Sequence, residues 1–311
     1  MNGIKKKVFL CEDIHQQAYE LLEKHFDIIN DLCEINKADA MIVRNMKIDR
    51  DFIEQCRHLK ILAVHGTGYD DVDLNYLKEK NIVVFHVPGE NALSVAELVV
   101  ALILNLTRKV YLADRLLQSG KVIETGTKRL EGIEISNKTF GIIGCGNIAR
   151  KTAFILQNGF GMNVVVYSPS LTLKKAGELH MERCQTIEEV FEKADIVSVH
   201  CSLNHRTRGM IDLDVFKHAK KDCFFINTAR GAIVNENDLY IALKDGLIKG
   251  AACDVFIEEP PHKNQALLTL DNFLATPHIA ATTDEALKRV GMKAVEGIID
   301  YFAGKDVCHR L

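Results

Sequence analysis

The sequence predicts an α/β fold made of two doubly wound parallel-sheet domains. Short β-type apolar runs alternate with amphipathic helical stretches from end to end, the pattern of βαβ units. A strand near residue 140 runs into a glycine-rich turn and then a helix, and a complete α/β unit of about 100 residues precedes it. A length of 311 residues suits about two domains. The first is expected to be flavodoxin-like and the second Rossmann-type.

Residues 8–11, 40–43, 61–64 and 82–85 read as the strands of the first series. Between the first two, Ile14, Ala18, Leu21 and Leu22 recur at helical spacing. The second series comprises 140–143, 164–167, 196–200, 223–227, 251–254 and 273–276. Ser94-Val95-Ala96-Glu97 has the form of a capping box, predicting one long helix from Ser94 toward Leu117 with Gly120 as its stop. Thr282, three residues before Glu285, opens a last helix through Val290, Ala294, Ile298 and Phe302 to Gly304. So apolar a terminal helix needs a partner surface, and it is expected to pack back on the first domain. The predicted domains are therefore 1–97 plus 285–311, discontinuous, and 98–284.

The net charge of −3 leaves no electrostatic footprint for nucleic acid or an anionic membrane. No apolar run approaches the ~18 residues of a membrane span. The nine cysteines are scattered, without Cys-x-x-Cys or Cys/His metal spacing, so no metal is expected. With no signal-peptide pattern at the start, they predict mostly buried thiols in a reducing cytoplasm.

Thr139-Phe140-Gly141-Ile142-Ile143-Gly144-Cys145-Gly146-Asn147-Ile148-Ala149 carries Gly-x-Gly-x-x-Ala between strand and helix. Gly144 permits the tight turn, Gly146 lets the backbone approach a pyrophosphate, and Ala149 keeps the helix–strand contact small. The pyrophosphate would lie on the N–H groups at Asn147 and Ile148. About 20 residues on, an acid usually grips the ribose 2′-hydroxyl. Ser168 stands there, followed by Pro169 and Ser170, with Lys174 and Lys175 beyond. Without a carboxylate a 2′-phosphate is not repelled, so the expected cofactor is NAD or NADP, leaning to NADP. No arginine occupies the usual phosphate-gripping place.

Later segments set chemically apt residues just past predicted strands, where ligands sit in open α/β sheets. They are Asn227-Thr228-Ala229-Arg230-Gly231, then 254–260 with Asp254 and Glu259, and Thr276-Pro277-His278-Ile279-Ala280. Arg, Glu and His converging beside a nicotinamide suit carbonyl reduction. The His supplies a proton, the Glu holds its tautomer, and the Arg binds and polarises the carbonyl.

With these motifs, and with His65-Gly66-Thr67-Gly68-Tyr69-Asp70-Asp71-Val72-Asp73, Asn91 and Asp195-Ile196-Val197-Ser198-Val199-His200, the chain resembles the D-isomer-specific 2-hydroxyacid dehydrogenase family throughout its length. The resemblance implies that Arg230 binds substrate, Glu259 pairs with the catalytic histidine, and His278 is the proton donor and acceptor. It implies that Asp254 contacts the nicotinamide carboxamide, and that Thr228 and Ala229 lie in the cofactor site. It further implies that backbone N–H groups at Gly66, Thr67 and Gly68, with Arg230, hold the substrate carboxylate. The first domain becomes the substrate domain, the second the NAD(P) domain, and a homodimer through the cofactor domain is expected. Arg44 matches an arginine that phosphoglycerate dehydrogenases use near the substrate phosphate. Phosphohydroxypyruvate/3-phosphoglycerate or glyoxylate/hydroxypyruvate are therefore the expected substrates.

Departures from the family pattern are Asp71 for Asn, Asn235 for Asp, and Val122 where a tryptophan often stands. Glu259, where formate dehydrogenase has Gln, argues against that relative. No room is expected after Leu311 for the regulatory domain of longer phosphoglycerate dehydrogenases. A different class, a nucleotide-sensing corepressor-like binding protein on the same fold, is the alternative.

Overall fold

A computed structural model describes residues 5–120, 124 and 126–311; Val122 lies outside them. In chain order the first series is β1 (Lys7–Leu10), α1 (Gln16–His25), β2 (Asp27–Ile29), β3 (Ala40–Val43), α2 (Arg50–Gln55), β4 (Ile61–Val64), α3 (Leu74–Glu79) and β5 (Val83–His86). The second begins with α4 (Ala92–Arg108), α5 (Val110–Gln118), β6 (Thr139–Ile143), α6 (Asn147–Phe160), β7 (Asn163–Tyr167), α7 (Leu173–Glu178), β8 (Glu182–Arg183) and α8 (Ile187–Lys193). It continues with β9 (Ile196–Val199), α9 (Leu213–Phe216), β10 (Phe224–Asn227), α10 (Glu236–Lys244), β11 (Gly250–Cys253) and β12 (Phe273–Ala275), and α11 (Asp284–Phe302) closes the chain.

Two compact units result, Met1–Asn91 with Ala281–Leu311, and Ala92–Ala280. Their limits fall a few residues before the expected 97 and 284, because α4 belongs to the second unit from its first residue and the return to the first precedes α11.

In the first unit the strand order is β2-β1-β3-β4-β5, all parallel. In the second it is β12-β11-β10-β9-β6-β7-β8, again all parallel. Order reverses at β1 in one sheet and at β6 in the other. The crevice at such a reversal, beyond the strands' carboxyl ends, is where α/β folds bind ligands. Both sheets carry apolar cores on both faces, as parallel sheets require. The terminal helix supplies Val290, Ala294, Val295 and Ile298 to the same core as Ala18 and Leu22 of α1.

Several sequence expectations need correction. The long helix starts at Ala92, leaving Ser94 buried in its first turn and not at a cap. It does not continue to Leu117, because Lys109 adopts a left-handed backbone (φ 52°) that divides it from α5. The last helix is capped by Thr283, whose hydroxyl accepts the Ala286 N–H, and not by Thr282. The edge strands β2 and β8 were not expected. Of the nine free cysteines, Cys56, Cys184, Cys223 and Cys253 are buried, whereas Cys33 and Cys308 are exposed. Among the described residues no helix is long and apolar enough to cross a membrane.

Candidate active site

The second unit's site begins where β6 ends. Gly144 has φ 93°, and a Cβ there would lie 2.7 Å from the backbone N of Cys201. Only glycine permits that approach of the turn to the segment after β9. Gly146 caps α6 with no side-chain bond, and a Cβ built on it meets nothing within 4 Å. The first N–H groups of α6, at Asn147 and Ile148, thus face open space with the helix dipole behind them. A diphosphate fits that cradle.

Further along the strand ends, the buried Nε2 of His200 and Oγ1 of Thr228 have no hydrogen-bond partner among the described residues. They directly follow adjacent strands, one residue past the paired Val199 and Asn227. Buried polar atoms of this kind await a partner, as a dinucleotide site requires. Burial holds the His200 imidazole down at about 4, so it is neutral at neutral pH. Ser168 is buried at the end of β7, its hydroxyl 3.3 Å from that of Ser170.

Arg230 follows β10, its turn shaped by Asn227, which is 1% exposed. The Asn227 side chain accepts the Ala229 N–H (3.0 Å) and donates to the Arg230 carbonyl (3.0 Å). Next comes Gly231, where a Cβ would lie 1.9 Å from the carbonyl carbon of Phe256. The Arg230 segment is thereby laid directly on the loop that carries Glu259. One Arg230 Nη donates to the Ala229 carbonyl at 2.7 Å. Glu236, at the start of α10, ties down the same loop by accepting the Ile257 N–H at 2.7 Å.

Glu259 accepts the Phe256 N–H through Oε1 (3.0 Å) and meets His278 Nδ1 through Oε2 at 2.6 Å. Burial pushes its carboxyl up. The hydrogen bonds from His278 and Phe256, with the nearby charges of His278 and Arg230, outweigh burial and hold it below the usual carboxylate value. With Nδ1 committed to Glu259, Nε2 is the His278 nitrogen left for chemistry.

His278 itself has φ 53°, a strained conformation for a non-glycine residue. Its N–H is bonded to the Asp254 carbonyl at 2.7 Å. The Asp254 carboxylate accepts the Thr276 hydroxyl (2.6 Å) and the N–H groups of Ile279 and Ala280 (2.8 Å each). Burial raises its pKa, opposed by those same bonds. Asp254 is 0% exposed and anchors the loop that holds His278. Asn227, Gly231, Glu236 and Thr276 were not singled out from the sequence, although Gly231 directly after an arginine was a visible signal.

The remaining expected residues lie in the first unit. The Gly66 N–H turns back to the Val64 carbonyl (2.8 Å). The N–H groups of Thr67 and Gly68 carry no bond among the described residues. Arg44 Nη2 donates to the Thr282 hydroxyl at 2.7 Å, and its backbone N–H to Glu12.

Comparison with known proteins agrees with this architecture. A sequence profile described as "D-isomer specific 2-hydroxyacid dehydrogenase, NAD binding domain" matches residues 100–280. The D-3-phosphoglycerate dehydrogenase of Methanocaldococcus jannaschii is 36% identical over 308 residues, covering 96% of this chain and 58% of its own length. The chain thus spans little more than half of that relative. The hydroxypyruvate reductase of Thermotoga maritima is 36% identical over 288 residues, covering 92% of each chain. A crystal structure of Aquifex aeolicus D-lactate dehydrogenase with NAD and lactic acid superposes with a TM-score of 0.84 at 25% identity, covering 96% of both chains.

Proposed function

Because the chain belongs to the D-isomer-specific 2-hydroxyacid dehydrogenase family, we propose that it interconverts a small 2-oxoacid and a D-2-hydroxyacid using a nicotinamide dinucleotide. The observation that carries this is the His278–Glu259 pair, with the Arg230 segment packed on the same loop. When bound, the reduced nicotinamide supplies a hydride to the carbonyl carbon. His278 Nε2 donates the proton to the carbonyl oxygen, and the Glu259 carboxylate balances the imidazolium's charge before transfer. Arg230 binds the carboxylate of the substrate and polarises the carbonyl. In the oxidative direction His278 takes the hydroxyl proton. Asp254 keeps the loop in place throughout.

The Gly144–Gly146 turn and the N–H groups of Asn147 and Ile148 are proposed to hold the diphosphate, with Thr228 and Ala229 lining the nicotinamide half. NADP is favoured over NAD because Ser168 replaces an acid. Thr67, Gly68 and Arg44 are candidate ligands for the anionic groups of the substrate within the first unit. Phosphohydroxypyruvate/3-phosphoglycerate and glyoxylate/hydroxypyruvate are the substrates favoured. A homodimer is supported by the exposed apolar side chains Val110 and Leu117 on α5 and Phe154 on α6. Free thiols throughout suit the cytoplasm. A corepressor-like role gains no support from relatives that carry the names of enzymes.

The test is a panel of glyoxylate, hydroxypyruvate, phosphohydroxypyruvate and pyruvate, each assayed with NADH and NADPH. Oxidation of the reduced cofactor by at least one acid is expected. No turnover with any of them overturns the assignment.

A further inference from the structure

The edge strand β8 was not expected, and it carries an arginine on the strand next to β7, at whose end Ser168 lies. Arg183 on β8 is paired with Val166 on β7, and Cys184 donates its N–H to the Val166 carbonyl. Partners in a parallel pair share a face, and residues two apart on one strand do too. Arg183, Val166 and Ser168 therefore lie on the same side of the sheet. That side is the one covered by α6 and α7, whose Ala153 and Ala176 share a core with Val166. Glu182 points to the opposite face, where Lys193 neutralises it at 2.6 Å.

The Arg183 side chain runs forward along the strand direction. Its Nη1 donates to Oε1 of Gln185, two residues further on, at 3.1 Å. Ser168 likewise lies two residues beyond Val166, so the guanidinium reaches the level of Ser168 at the strand ends. The Nε of Arg183 is buried and has no partner among the described residues. The guanidinium keeps an unbonded buried N–H on the sheet face that also carries Ser168, whose hydroxyl pairs with that of Ser170, so these donors can serve an anion. No carboxylate stands at Ser168 to repel an anion or to occupy the arginine.

We propose that Arg183, with Ser168 and Ser170, forms a site for a phosphate monoester on the 2′-oxygen of the adenosine ribose, making the chain selective for NADPH over NADH. The inference rests on the dinucleotide site proposed above. A planar guanidinium and two hydroxyls suit a doubly charged phosphate, since charge-assisted bonds of this type are the strong ones. The arginine comes from the neighbouring strand and not from the segment directly after β7.

Binding, and not turnover, tests this. Dissociation constants of NADPH and NADH are measured by nicotinamide fluorescence, and those of adenosine 2′,5′-bisphosphate and 5′-AMP by calorimetry. The wild type is expected to bind NADPH and the bisphosphate more tightly. Arg183→Gln should weaken NADPH by about tenfold or more relative to NADH. Arg183→Lys, which keeps the charge and loses the fork, should fall between. Ser168→Asp should reverse the preference. Tighter binding of NADH by the wild type, or an Arg183→Gln effect equal for both dinucleotides, overturns the proposal. Failure to bind either dinucleotide overturns the proposed function as well, whereas NADH binding without discrimination overturns this inference alone.

Discussion

His278 Nδ1 lies 2.6 Å from Glu259 Oε2, across 19 residues of chain, and that contact decides which imidazole nitrogen faces a substrate. The two residues follow different strands, β12 and β11; the Asp254 carbonyl holds the His278 N–H, and Glu259 is held by the Phe256 N–H. The pair is therefore a product of adjacent parallel strand ends and not of local sequence.

Removing the proton donor gives the most direct check. His278→Ala should lower turnover by ~10²–10⁴-fold. Its affinity for the dinucleotide, read by titration, should change little, because the diphosphate cradle at α6 is untouched. Near wild-type turnover would discount His278 as the acid.

Glu259→Gln keeps the shape of the pair and removes its charge. At neutral pH the native Glu259 is ionised, since its bonds and the neighbouring charges hold its carboxyl low despite burial. The variant loses a charge-assisted bond of 2.6 Å to the proton donor, so kcat should fall while dinucleotide affinity changes little. A kcat equal to that of the wild type would contradict a role for the Glu259 carboxylate.

Gly231 separates packing from chemistry. A Cβ would meet the Phe256 carbonyl carbon at 1.9 Å and its oxygen at 2.2 Å, with only backbone to yield. Gly231→Ala should destabilise by about 1–3 kcal/mol or more, as overpacking does. It should also depress kcat by displacing Arg230 from the Glu259 loop. Gly159, inside α6 with nothing within 4 Å of a built Cβ, provides the contrast. Gly159→Ala should stabilise by about 0.5–1 kcal/mol in urea unfolding.

The buried strands were legible in the sequence because burial on both faces leaves no polar interruption: β3 and β4 fall at the expected residues. The strands β2 and β8 escaped because they are short sheet edges, one of them only Glu182–Arg183, with no apolar pattern to show. The break at Lys109 was equally silent, lysine being a good helix former. It is tertiary in origin: Lys109 Nζ donates to the Arg129 carbonyl, and the Thr107 carbonyl accepts the Ile133 N–H. The chemistry-bearing residues were legible as residue types at strand ends. The loop anchors were not, since Asp254 and Glu236 act on backbone groups of residues that no spacing connects to them.

His65 follows β4 directly before Gly66, and its burial predicts acid sensitivity of the first unit. It is 6% exposed, and burial, then the nearby Arg44 charge, lowers its pKa from 6.5 to about 4, with Glu12 opposing. Above pH 6.5 the ring is neutral in both folded and unfolded chains and the pH dependence vanishes. As pH falls from 6.5 toward 4, the unfolded chain binds a proton that the folded one refuses, so stability falls. At about 1.4 kcal/mol per pH unit, the loss reaches roughly 3 kcal/mol near pH 4. His200, lowered to about 4 by burial alone, acts in the same direction in the second unit. Urea unfolding at a series of pH values should show this slope, and His65→Gln should flatten it for the first unit. A slope equal in wild type and variant would mean that His65 is not kept neutral by the fold.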